Sequence, residues 1–161
     1  MNFWAALGGG FVGTLVLTTI LRASSELRLT RIDLPFLLGT VFTSSRRRAK
    51  AIGYTAHFLF GFLFAVGYYL IFLVLGTSGF VLGAALGVVH GLFAATALVN
   101  VLLPVVHPRM GSGFSSSRST AQIEAPGFLM LNYGRATPIV SLIAHVAYGG
   151  IVGAFVRYGS R

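Results

Sequence analysis

The chain has no cysteine among its 161 residues and only three acidic side chains, and charged residues make up just 9% of it. The missing cysteine rules out disulfides, thiolate metal sites, iron–sulfur clusters and thiol nucleophiles together. With Glu26, Asp33 and Glu124 as the whole acidic inventory, no Asp-His-Ser arrangement can be assembled. A phosphate-binding loop, an HExxH motif and a Glu-x-x-His pair are also absent from the sequence. So little charge, set against 55% hydrophobic residues, cannot clothe a soluble domain.

What the chain has instead is long apolar runs. About 20 apolar residues cross a bilayer core, and four stretches qualify: Phe3 to Leu21, Ile52 to Leu75, Phe80 to Leu103 and Pro138 to Val156. The expectation is an all-α, four-helix integral membrane bundle forming a single domain, with connecting loops at 22–51 and 105–137. The formal charge of +9 follows topology rather than a nucleic-acid groove, because the basic residues cluster beside the spans. Seven of the twelve Lys and Arg residues lie in the first connection and three (Arg109, Arg118, Arg135) in the third. The positive-inside rule then places both connections in the cytoplasm and both termini outside, against the minority vote of Arg157 and Arg161. Arg46, Arg47, Arg48 and Lys50 are expected to anchor the second span at an anionic membrane surface.

Within the first connection the run Leu34 to Phe42 is too short to span. Asp33 and Pro35 at its start predict a short interfacial helix with a carboxylate N-cap. The link Gly76-Thr77-Ser78-Gly79 allows only a tight turn, which predicts that the second and third spans are antiparallel neighbours. Gly111 to Thr120 reads as a mobile Gly/Ser loop, and Phe128 to Tyr133 is too apolar to be free and should fold against the cytoplasmic mouth.

Small residues recur at helical spacing. Gly9 and Gly13 in the first span, Gly79, Gly83, Gly87 and Gly91 in the third, and Gly149 and Gly153 in the fourth present faces that another helix can approach closely. The third span is expected to be the central one. Gly8-x-Gly10-x-x-Gly13 also matches the dinucleotide fingerprint, but that motif needs a preceding strand, for which seven residues leave no room.

Three spans share the pattern His-x-x-aromatic-small, at His57, His90 and His145, so that each imidazole has a ring on its own helix face. Intramembrane ionisable groups normally face the bundle interior. One reading is a neutral imidazole bonded to a neighbouring helix; the other is a ligand set for a metal ion, with His107 and Glu124 at the mouth, or haem held axially by His57 and His145.

The segments TRIDLPFLLGTVFT, HPRMG, EAPGFLMLNYGRATP and AHVAYGG resemble those of a group of small bacterial inner-membrane proteins. The resemblance implies a bacterial inner-membrane location and a four-helix fold, and brings no activity with it. The function expected from the sequence is therefore a non-enzymatic membrane protein, an accessory or structural subunit packing through its glycine faces in a homo- or hetero-oligomer. The alternatives are a histidine-based metal- or haem-binding protein and a small transporter or proton pathway along the histidines.

Overall fold

The computed structural model describes residues 1–110 and 123–159. The expected mobile tract Gly111 to Thr120, Arg118 within it, and Arg161 lie outside the described residues. Among those described the fold is all-helical: α1 (Phe3–Glu26), α2 (Leu34–Gly39), α3 (Arg46–Leu75), α4 (Phe80–Val106) and α5 (Thr137–Tyr158), with a 3₁₀ turn at Phe128–Tyr133 before α5. Helices α1, α3, α4 and α5 are each long and apolar enough to cross a membrane.

Two of these helices overrun the apolar boundaries by more than a turn. Helix α1 continues past Leu21 to Glu26, where Arg22 and Glu26 pair one turn apart at 2.5 Å. Helix α3 begins at Arg46, so Arg46, Arg47, Arg48 and Lys50 stand on its first turns and not in a loop. Positive charge there opposes the helix dipole, and the Asp33 carboxylate, 3.7 Å from the Lys50 ammonium, offsets part of it. Asp33 also caps α2, accepting from the Phe36 N–H at 3.1 Å, with Pro35 in the first turn. Helix α2 lies against the basic end of α3 so closely that a Cβ on Gly53 would strike the Pro35 carbonyl, and one on Gly39 the Ala49 carbonyl.

Helix α5, not the third span, is central. It packs on both α1 and α4, and 56% of its apolar window is buried, against 33% for α4 and 22% for α3. Its small residues explain the difference. Gly149 and Gly153 meet Gly83 and Gly79 of the α4 segment backbone to backbone, and Gly87 faces the His145 carbonyl. Gly9 and Gly13 of α1 lie against Val152, Phe155 and the Tyr148 ring on other faces of α5.

Helices α3 and α4 are joined by the tightest turn, where Gly76 closes α3 at φ +66°, a conformation that costs glycine nothing. They run antiparallel, yet their backbones then stay apart, in contrast to the packed neighbours the short link predicts. Turn length constrains only the joined ends. What crosses the gap is side chains: the rings of Phe64 and His90 have centroids 3.9 Å apart.

The third span is also not one uniform α-helix. From Ala94 to Leu102 it is π-helical. Pro104 has no N–H to donate, and the Asn100 side chain donates to the Ala95 carbonyl five residues back at 3.0 Å, holding the wider turn.

Candidate functional site

The gap between α3 and α4 is the mouth of a cavity of about 380 Å³ inside the bundle. One end carries most of the polar groups: His57 on α3, His90 on α4, Ser141 and His145 on α5, and Thr14 on α1. The other end is aliphatic, with Leu34 and Leu38 of α2, Leu102 and Val106 of α4, and Met130 as floor. Phe60, Phe64 and Tyr148 add aromatic wall. Among the described residues no charged side chain lines it.

The histidines converge on this space, each with a different degree of satisfaction. Nδ1 of His145 lies 2.7 Å from the Ser141 carbonyl. A carbonyl can only accept, so Nδ1 carries the proton and Nε2 presents a lone pair. His90 sits 4.7 Å from His145 between ring centroids, edge to face, with its Nδ1 3.5 Å from the Tyr68 hydroxyl. His57 is 8% exposed, and its buried Nε2 has no hydrogen-bond partner. Leaving such a group unmatched costs about 1–3 kcal/mol. Tyr148 O–H donates to the Gly61 carbonyl at 2.5 Å and Thr14 O–H to the Gly10 carbonyl at 2.7 Å, so their protons are already committed. His57 also borders a smaller cleft with Arg22, Asp33 and Tyr54 at the basic end.

The remaining members of the expected ligand set lie elsewhere. His107 is buried between Thr40, whose hydroxyl is 3.1 Å from Nε2, and the Arg109 N–H, which donates to Nδ1 at 3.1 Å. Thr40 gives its own proton to the Leu37 carbonyl at 2.7 Å, so Nε2 of His107 is the protonated nitrogen. Burial first, and the Arg109 charge after it, lower the His107 pKa, against a hydrogen bond to the Leu37 backbone that raises it. Glu124 pairs with Arg31 at 3.4 Å. Burial, followed by the Glu124 charge, pushes the Tyr133 phenol up to about 12, with Arg31 pulling the other way. Among the described residues no group of three or more His, Asp or Glu side chains could hold a metal ion.

The 3₁₀ turn beneath the cavity buries Met130 and Tyr133 and leaves Phe128 and Leu131 outside. Leu129 and Met130 hold φ of +53° and +60°, a left-handed conformation costing non-glycine residues on the order of 1–2 kcal/mol each. Tyr133 O–H donating to the Glu124 carbonyl at 2.6 Å and Asn132 Nδ2 to that of Ala125 at 2.9 Å tie the turn down. Sequence reasoning found the three histidines but missed Ser141, Thr14 and Phe64. Ser141 stands four residues before His145, one turn away, and that spacing was the available signal.

No protein-family model, no curated protein and no solved structure matches the chain.

Proposed function

We propose that this is a non-enzymatic, multi-pass membrane protein that acts as an accessory subunit by holding a small apolar molecule within its bundle. The observation that carries the reading is the cavity itself: apolar walls with a few convergent polar groups at one end, the usual build of a small-molecule site. Its polar groups are imidazoles and hydroxyls, while Glu26, Asp33 and Glu124 all sit in ion pairs outside it. That distribution supports binding over acid–base catalysis. The basic end would face the bacterial cytoplasm, with both chain ends on the opposite side. Association with other membrane proteins would use the outer faces of α3 and α4, because the glycine faces are engaged inside the chain.

The test is saturable binding of decylbenzene to the protein in lipid nanodiscs. Binding should be lost in Ala94→Phe, which fills the cavity from α4. Absence of saturable binding to the wild type would overturn the reading.

A further inference from the structure

Resting on that reading, we infer that the occupant is an uncharged ring bearing a carbonyl or phenolic oxygen, held at that oxygen by His57 and entering sideways between α3 and α4. Four features support this, one each for the route, the charge, the polar contact and the shape.

The route follows from which liners are exposed. Phe60 on α3 and Leu102 and Val106 on α4 line the cavity and are 45%, 50% and 64% exposed, whereas the liners contributed by α1 and α5 are buried or nearly so. The opening therefore faces outward through the α3–α4 gap, where a spanning bundle meets hydrocarbon. A molecule arriving there comes from the bilayer and keeps its tail in it.

Among the described residues no charged group stands on the walls, which makes an ionic ligand costly, since its desolvation would go uncompensated. The polar contact is restricted in turn, because His145, Tyr148 and Thr14 donate to backbone carbonyls of the protein itself. Nε2 of His145 keeps only a lone pair, which a carbonyl cannot use; among the described residues the buried side-chain polar atom without a hydrogen-bond partner is Nε2 of His57. A neutral imidazole nitrogen can donate to a carbonyl or accept from a phenol, so the quinone and quinol forms of one ring both satisfy it. The flat shape is favoured by the walls: the rings of Phe64, His145 and Tyr148 cluster about His90, with centroids 3.9 to 5.8 Å from its own, suited to edge and face contacts with another ring.

The experiment compares a decyl-substituted benzoquinone with decylbenzene, both titrated into wild-type protein and His57→Phe in nanodiscs, with the ¹⁵N resonances of the histidines followed in parallel. The quinone should bind the wild type about tenfold more tightly than decylbenzene, the ratio that one hydrogen bond supplies, and should shift the His57 Nε2 resonance. His57→Phe should erase the tenfold preference, and a helical circular-dichroism spectrum and thermal midpoint matching the wild type show that the variant is folded. Leu102→Trp at the mouth should slow entry of both. Equal binding of the two probes, or a preference that survives His57→Phe, overturns the inference while leaving the cavity a binding site. Failure of both probes to bind the wild type overturns the underlying reading instead.

Discussion

Helix α4 borders two helices and meets them in opposite ways. Against α5 it presents Gly83 and Gly87, and the backbones touch. Towards α3 it presents His90 and the π-helical segment, and what lies between is three rings and a void. In a bilayer there is no hydrophobic drive between helices, so contact area and close approach decide which pairs hold. The α4–α5 seam has both and works as the rigid half of the molecule. The α3–α4 seam is bridged between its ends by the Phe64, Tyr68 and His90 rings alone among the described aromatic contacts, and is closed at its ends by the turn at Gly76 to Gly79 and by a strap at the basic end. There His107 reaches Thr40, and the Arg109 guanidinium donates to the Thr43 carbonyl at 3.2 Å.

The contrast can be broken most forcefully at Gly149. A Cβ there lands on the Gly83 carbonyl, so Gly149→Leu should cost about 3 kcal/mol and be read as a large fall in the thermal midpoint in detergent. An unchanged midpoint would mean that the two seams are not different. The opposite outcome is expected at the hollow seam. Ala94→Phe adds a ring where there is room, and should leave the protein as stable as wild type or more stable by about 1 kcal/mol while blocking the site.

The strap gives an intermediate effect that depends on pH. Because burial lowers the His107 pKa in the fold, the unfolded chain binds more protons below its ordinary value of about 6.5. The contribution of neutral His107 is thus fully present above that pH and is lost as pH falls towards the lower, folded value. Melting curves at pH 7.5 and 5.5 should show a larger drop for the wild type than for His107→Gln, and equal drops would remove His107 as the source. The smallest effect belongs to the exposed Arg22–Glu26 pair. Arg22→Ala should change stability by less than about 0.5 kcal/mol, a baseline against which the seams are judged.

The helices were legible because length and hydropathy dictate them, and so was the cap at Asp33, which rests on local chemistry. The centrality of α5 was not. Counting glycines favours the third span, whereas burial is decided by the sum of small residues, including Ser141, Ala144 and Gly150. The shared His-x-x-aromatic pattern pointed to the three histidines that line the cavity, through an incomplete mechanism. Phe93, the ring three residues after His90, is exposed, and the ring packed closest to His90 is Phe64 from another helix. Convergence of this kind depends on how helices are rotated about their axes, which periodicity leaves free. The π-helical turn escaped for a related reason, since Pro104 announces a disturbance without saying which way the chain relieves it.

That turn has a mechanical consequence. A π-helical stretch carries one residue more than the α-helix it replaces, and returning that residue to the ladder rotates everything beyond it. In α4 the aliphatic lip lies at the last residue of the stretch, Leu102, and beyond it at Val106, while the glycine-bearing part lies before it. A one-residue slip between Ala94 and Leu102 would therefore turn the lip like a tap on a fixed pipe, with the α4–α5 joint undisturbed.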